Sequence, residues 1–292
     1  MRLLITGADG QLARSFAALA KGRDNIQLFS YNRVQLDICS VSSVNSAIAK
    51  VQPDFVINTA AFTDVDGAEG QIQEAMAANQ LGPANLALAC ATANIPLIHF
   101  STDYVFNGNS IGDHCETDKT GPLGIYGASK LAGERAIQDA CSKYLIFRSS
   151  WIFSPYGNNF VKSMLGLGRS NRKLTVVNDQ YGKPTSGEEI ARITVDIISR
   201  VTDQWGVYHL AQPEAVSWFD FANAIFSQAK EQDLKLSIQR VIPIPSRDYK
   251  TVARRPENSV LNSNKLESTF DISIKPWTGS LVKTIREIKD HG

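Results

Sequence analysis

The chain has little of what marks several large protein classes. Its 292 residues include four cysteines, Cys39, Cys90, Cys115 and Cys141, with no C-x-x-C pair among them. That spacing argues against a disulfide framework or a zinc knuckle, and reduced thiols are expected. The four histidines are equally scattered. His99 lies within the apolar run Leu97–Phe100 and reads as a packed strand residue, so no metal site is expected. No apolar run approaches the ~20 residues of a membrane-spanning helix. The opening Met1-Arg2-Leu3-Leu4-Ile5-Thr6-Gly7 is not a leader pattern, so no signal peptide and a cytoplasmic location are expected. Thirty basic residues against 29 acidic ones leave a net charge of +1. Neither nucleic acid nor an anionic membrane is then an expected partner. Repeats and low-complexity tracts are also missing.

What is there is an ordinary globular balance, 43% hydrophobic and 20% charged, arranged with a rhythm. Leu3-Leu4-Ile5 is a short apolar run, followed by the turn Thr6-Gly7-Ala8-Asp9-Gly10 and a helical stretch from Gln11 to Ala20. Further strands are predicted at 26–29, 55–58, 97–100 and 144–147. Helices are predicted at 41–50, capped by Ser40, at about 69–93 with an adjustment near Gly82-Pro83, and from the Tyr126 region to about Cys141. Repeated β-α units predict an α/β protein with a Rossmann-type, doubly wound parallel sheet. Its site belongs at the carboxyl ends of the strands, where Gly7, Ala60, Thr102 and Ser149 fall. Beyond about residue 150 prolines and turns become common. The expected organisation is a dinucleotide-binding domain over 1–150, with a return segment near 185–215. A smaller C-terminal substrate-binding lobe takes 151–184 and 216–292.

Two patterns carry chemistry. The first is G-x-x-G-x-x-A at Gly7, Gly10 and Ala13, a relaxed dinucleotide fingerprint. Its glycines allow close backbone approach to a phosphate, and the helix N-terminus offers free N–H groups and a positive dipole end. The second is Tyr126-x-x-x-Lys130, which places a phenol and an ammonium one helical turn apart. A nearby ammonium favours the phenolate, lowering the phenol below its unperturbed pKa of ~10. With the hydroxyl of Thr102 upstream, the set suits carbonyl reduction or alcohol oxidation with a nicotinamide. An exposed lysine beside a half-buried tyrosine is the plainer reading of the pair alone.

Several segments then resemble one family. Ser101-Thr102-Asp103-Tyr104-Val105-Phe106-Asn107-Gly108 is similar to its S-T-D-Y-V-F-x-G segment. Tyr126-Gly127-Ala128-Ser129-Lys130-Leu131-Ala132-Gly133-Glu134 resembles its Y-G-x-x-K-x-x-G-E helix. Arg148-Ser149-Ser150-Trp151-Ile152-Phe153, Asn158-Asn159-Phe160 and Asp179-Gln180-Tyr181-Gly182-Lys183-Pro184-Thr185 also match. The family is the dTDP-4-dehydrorhamnose reductases of the extended short-chain dehydrogenase/reductase superfamily. The resemblance implies NAD(P)H-dependent reduction of the C4 ketone of dTDP-4-dehydro-β-L-rhamnose, a small-molecule nucleotide-sugar substrate. It implies Tyr126 as proton donor, Lys130 as the residue that tunes Tyr126 and holds the nicotinamide ribose, and Thr102 as a partner of the carbonyl oxygen.

Around these, Gly7, Gly10, Gln11 and Leu12 would bracket the pyrophosphate. Asp37-Ile38 resembles the adenine-side contact, and Ala60, Ala61 and Thr63 would pass beside ribose and nicotinamide. No acidic residue follows the second strand to take the adenosine ribose hydroxyls, while Arg33 suits a 2′-phosphate or is a solvated charge. The lean is to NADPH, with NADH also usable. Trp151 and Tyr104 are sugar contacts or core aromatics. Arg254 of Arg254-Arg255-Pro256 is a diphosphate clamp or part of a solvated turn. Some family members form a dimer bridged by Mg²⁺ through glutamates, one of them on the first helix. Here that helix reads Ala13-Arg14-Ser15-Phe16, leaving Glu188 or Glu189 as half a bridge at most. No essential metal is expected, and a homodimer is left open. The rivals are a reductase or epimerase of another nucleotide 4-keto-6-deoxysugar and a non-catalytic dinucleotide-binding regulatory subunit. A dehydratase is disfavoured, because Asp103-Tyr104 lacks the glutamate that elimination needs.

Overall fold

The computed structural model describes residues 1–110, 112–200 and 203–291. Its strands, in chain order, are β1 (Arg2–Thr6), β2 (Gln27–Tyr31), β3 (Phe55–Asn58), β4 (Leu97–Thr102), β5 (Tyr144–Ser149) and β6 (Ile152–Phe153). They continue as β7 (Lys173–Val177), β8 (Tyr181–Gly182), β9 (Thr185–Ser186), β10 (Gly206–His209), β11 (Val216–Ser217) and β12 (Arg240–Ile244). The helices are α1 (Gln11–Ala20), α2 (Val41–Val51), α3 (Val65–Gly70), α4 (Ile72–Met76), α5 (Gly82–Ala93) and α6 (Ile125–Ala140). The later ones are α7 (Phe160–Ser170), α8 (Gly187–Ile198), α9 (Trp218–Glu231), α10 (Asn264–Phe270) and α11 (Trp277–His291).

Six parallel strands form the main sheet in the order β10-β5-β4-β3-β1-β2. The chain steps outward from β1 to β2, then returns to the other side of β1 for β3. That reversal opens a crevice above the carboxyl ends of β1 and β3. Because helices cover both faces, the central strands are apolar along most of their length. β4 is buried at all six positions, Ser101 and Thr102 included. Leu12, Ala13 and Phe16 of α1 pack with Ile190 and Ile193 of α8 against one face. Full burial of a phenylalanine such as Phe16 stabilises by about 1.5–3 kcal/mol.

Ser40 caps α2 as its sequence suggests, accepting a hydrogen bond from the Ser43 N–H. The single helix expected over 69–93 is instead α3, α4, a π-helical turn at Ala77–Leu81, and α5. Gln71, at φ −124° and ψ 53°, leaves helical geometry between α3 and α4. Pro83 has no N–H to offer the preceding turn, and the backbone widens there. The π turn directs Asn79 inward, where it is fully buried. β4 and β5 also run two residues further than their apolar runs, ending at Thr102 and Ser149, because ladder bonds continue through polar residues.

The later segments build a second apolar cluster from α7, α9 and α11, with Phe153, Val161, Phe221 and Leu281 at its centre. β7 and β12 pair in parallel beside it. No helix among the described residues is long and apolar enough to cross a membrane.

Candidate active site

Gly7 follows β1 with φ +70°, in the left-handed region that favours glycine. A Cβ at this position would lie 2.9 Å from the Ala60 Cα and N, so the turns after β1 and β3 touch through their backbones. The Gly10 N–H donates to the Gly7 carbonyl at 2.9 Å and closes the turn. Gly10 is the N-cap of α1 and supplies no side-chain bond, so the first N–H groups of the helix face the crevice without a side-chain cap. A pyrophosphate fits such a cradle. Leu12 packs in the core beneath it. The Gln11 side chain donates to the Ile152 carbonyl at 3.3 Å and accepts from Ser154 and Asn159, both at 3.3 Å. It thereby ties the turn to the loop after β5.

Arg33 is exposed just beyond β2, and Asp37 accepts from the Cys39 N–H at 3.0 Å. Ile38 is core, its side chain filling the space a Cβ on Gly82 would need. Ala60 and Ala61 are half-buried after β3, and Thr63 is exposed. Asn79 holds this segment: it accepts from the Phe62 N–H at 2.8 Å and donates to the Phe62 carbonyl and the Ser129 hydroxyl, both at 3.0 Å.

Thr102 ends β4 and caps a short 3-10 turn. Its hydroxyl accepts from the Tyr104 N–H at 3.2 Å and donates to Asp103 at 3.0 Å. Gly127 lets α6 pack directly on the Tyr104 carbonyl, which brings Tyr126 to Thr102. The Tyr126 ring meets the Tyr104 ring edge-on at 5.8 Å. Burial pushes the Tyr126 phenol up to about 12; its hydrogen bond with Thr102 works the other way, and Asp103 adds to the rise. This corrects the sequence expectation of a phenol below its ordinary value. Desolvation outweighs the Thr102 hydrogen bond, and Tyr126 is a protonated acid at neutral pH. Burial likewise raises Asp103 to about 6.

Lys130 is 2% exposed and donates to the Phe100 carbonyl at 2.6 Å. Its Nζ also lies 3.3 Å from His99 Nε2. Burial brings it down to about 8, opposed by Glu134 one turn further along α6. Glu134 is itself clasped by Arg148 of β5, at 2.7 Å to Nη2 and 3.0 Å to Nε, and accepts from Ser101. His99 is the packed strand residue its sequence implied, yet it is also hydrogen-bonded: Asn58 Nδ2 lies 2.9 Å from its Nδ1.

A small cleft opens beside the tyrosine pair, lined by Glu69, Tyr104, Gly124, Tyr126, Arg254 and Pro256. Arg254 is exposed at its lip, whereas Arg255 turns inward to Asp66 at 2.9 Å. That guanidinium holds the Asp66 carboxyl below its ordinary range. Trp151, at φ +48°, stacks on Trp218 with ring centroids 3.4 Å apart. One face of its indole is therefore taken by another aromatic. Glu189 pairs with Arg192 and Glu188 with Lys283. Among the described residues no three His, Cys, Asp or Glu side chains converge to hold a metal.

Asn58, Asn79, His99, Asp66 and Arg255 were not singled out as site residues from sequence. Asn58 and His99 had a visible signal: each is a polar residue at the carboxyl end or middle of an otherwise apolar parallel strand, and the two are register partners. Asp66 and Arg255 had none, since 189 residues separate them.

A doubly wound parallel sheet with Thr102, Tyr126 and Lys130 gathered at its carboxyl edge defines the extended short-chain dehydrogenase/reductase class. The RmlD substrate binding domain family matches residues 1–289. A dTDP-4-dehydrorhamnose reductase of Aggregatibacter actinomycetemcomitans is 41% identical, covering 98% of each chain. A crystal structure of a dTDP-4-dehydrorhamnose reductase from Clostridium acetobutylicum superposes with a TM-score of 0.92 at 36% identity, over 99% of this chain and 100% of that one. The Bacillus anthracis enzyme, solved in complex with NADP, gives 0.90 at 33% identity over 98% and 99%. The chain belongs to the dTDP-4-dehydrorhamnose reductase family.

Proposed function

We infer that the protein reduces the C4 ketone of dTDP-4-dehydro-β-L-rhamnose to the alcohol of dTDP-β-L-rhamnose, using NADPH, with NADH as the alternative cofactor. The observation that carries this is the convergence of Thr102, Tyr126 and Lys130 beside the Gly7 cradle in a chain so similar to reductases of this substrate. When bound, the dinucleotide supplies the hydride. The chain supplies the rest. Tyr126, protonated at neutral pH, gives its phenolic proton to the C4 oxygen as that oxygen becomes an alcohol. Thr102 holds the same oxygen and stabilises its developing charge. Lys130 takes the nicotinamide ribose hydroxyls in this reading.

In this reading Gly7, Gly10, Gln11 and Leu12 hold the pyrophosphate, and Asp37 and Ile38 flank the adenine. Arg33 meets a 2′-phosphate, and Ala60, Ala61 and Thr63 line the nicotinamide half. Tyr104, Trp151 and Arg254 belong to the sugar-nucleotide side, the last two in the lobe formed by 151–184 and 216–292. Tyr104 and Arg254 share the cleft with Tyr126, which supports that assignment. Preference for NADPH is supported by the NADP held by the Bacillus anthracis relative and by the exposed Arg33.

The test is NADPH oxidation with enzymatically prepared dTDP-4-dehydro-L-rhamnose and no added metal, with NADH in parallel. Rapid oxidation with dTDP-L-rhamnose as the product is expected. Dinucleotide binding without oxidation would overturn the substrate assignment.

A further inference from the structure

Three polar side chains lie in register across the middle of the main sheet. Thr6 on β1 faces Asn58 on β3, which faces His99 on β4. All three are closed from solvent. The Thr6 hydroxyl donates to Asn58 Oδ1 at 2.6 Å, and the Ala60 N–H donates to the same oxygen at 3.2 Å. A backbone N–H can only donate. The Ala60 N–H is shared with the Thr6 hydroxyl oxygen at 3.3 Å, but a flipped amide would set its NH₂ against that N–H, so the Asn58 oxygen lies toward Ala60 and its NH₂ toward His99.

The consequence passes along the row. Asn58 Nδ2 donates to His99 Nδ1 at 2.9 Å, so that nitrogen must accept. Burial holds His99 neutral, and a neutral imidazole carries one proton. The proton sits on Nε2, which points at Lys130 Nζ. An ammonium has no lone pair to receive it; an amine has one.

We propose that Asn58 and His99 are positioning residues that set the hydrogen-bond polarity at Lys130: they aim an N–H at its Nζ, so that in the ligand-free protein the ammonium is disfavoured and the amine, which can accept from His99, is favoured. The amine form still donates to the Phe100 carbonyl and retains a second N–H. The titratable groups around Lys130 are His99 on β4 and Tyr126 and Glu134 on α6. The Glu134 charge is met by Arg148 of β5. Burial by itself brings Lys130 down to about 8, and the His99 N–H acts in the same direction. The inference rests on the reductase reading only for its catalytic consequence, that the resting fold disfavours a charge on Lys130 beside Tyr126.

The test needs no substrate. Two-bond ¹⁵N–¹H spectra of the whole protein report the His99 tautomer, and ¹³Cε-labelled lysine reports the Lys130 titration. A proton on Nε2 is expected in the native protein; a proton on Nδ1 overturns the proposal without any variant. Asn58→Asp should move the proton to Nδ1 and raise the Lys130 midpoint by at least about one unit. Asn58→Leu adds no charge, and it should raise the midpoint by releasing the ring to accept from an ammonium. A rise in the Asp variant alone would mean simple charge attraction, and no rise in either would remove the coupling; both outcomes overturn it.

Discussion

Glu134 and Arg148 form a forked ion pair beneath the site, closed from solvent, with 2.7 Å between Glu134 Oε2 and Arg148 Nη2. The pair spans α6 and β5 and fixes the helix that carries Tyr126 and Lys130. Arg148 also lies over the Phe106 ring at 5.2 Å. Glu134→Gln leaves a buried guanidinium without its counter-charge, and the loss should be about 3–5 kcal/mol of unfolding free energy. Urea unfolding measures it. A loss below about 1 kcal/mol would show that the pair is incidental to stability.

Gly7→Ala tests the cradle. A Cβ there meets the Ala60 backbone, which cannot swing aside as a side chain would, and the left-handed φ adds strain. Dinucleotide affinity should fall at least ~10-fold, equivalent to about 1.4 kcal/mol, with a lowered melting temperature. Calorimetric titration with NADPH reads the first and thermal unfolding the second. Unchanged affinity would place the pyrophosphate elsewhere.

Tyr126→Phe removes the proton donor but keeps the ring against Tyr104. A drop in kcat of ~10²–10⁴ is expected for loss of general acid catalysis, with NADPH affinity nearly unchanged. Thr102→Val should lower kcat less, because it removes a partner of the oxygen and not the proton. It also frees Asp103 and the Tyr104 N–H from their shared hydroxyl. Equal activity of the phenylalanine variant would assign the proton to another group.

Arg33→Ser separates the cofactors. If Arg33 meets the 2′-phosphate, KM for NADPH should rise ~10-fold, the worth of one exposed charge-assisted contact, and KM for NADH should stay put. Parallel steady-state kinetics decide it; an equal change for both would return Arg33 to the solvated surface.

Much of this was open to reading in the chain itself, and the reasons are physical. Parallel strands buried on both faces are apolar runs, so β1, β3, β4 and β5 stand out, and the glycine turn fixes where the dinucleotide site begins. The strand ends were less visible because backbone pairing continues through Ser101, Thr102, Arg148 and Ser149 after hydrophobicity stops. The break at Gln71 and the π turn at Asn79 were hidden by alanine-rich helical composition. The charge states could not be read at all. Spacing places Lys130 one turn from Tyr126, but only three dimensions reveal that desolvation acts on both and that Lys130 is turned toward Phe100 and His99.

That same burial sets the acid limit of the fold. His209 is lowered to about 3, chiefly by burial and then by Arg148, and His99 lies well below its ordinary 6.5. A histidine with a depressed folded value binds its proton more readily when unfolded, so it lowers stability as pH falls from about 6.5 toward its folded value. Asp103 acts oppositely: raised to about 6 from 3.8, it takes up a proton in the folded state first and stabilises as pH falls through that window. Between pH 6 and 4 two histidines oppose one aspartate, a net difference of one proton. Stability should therefore fall by roughly 1.4 kcal/mol per pH unit from these three groups. His209→Gln, which removes one titrating ring, should flatten that slope to near zero. Urea unfolding of both proteins across pH 4–6.5 measures the two slopes, and equal slopes would place the acid sensitivity outside the buried histidines.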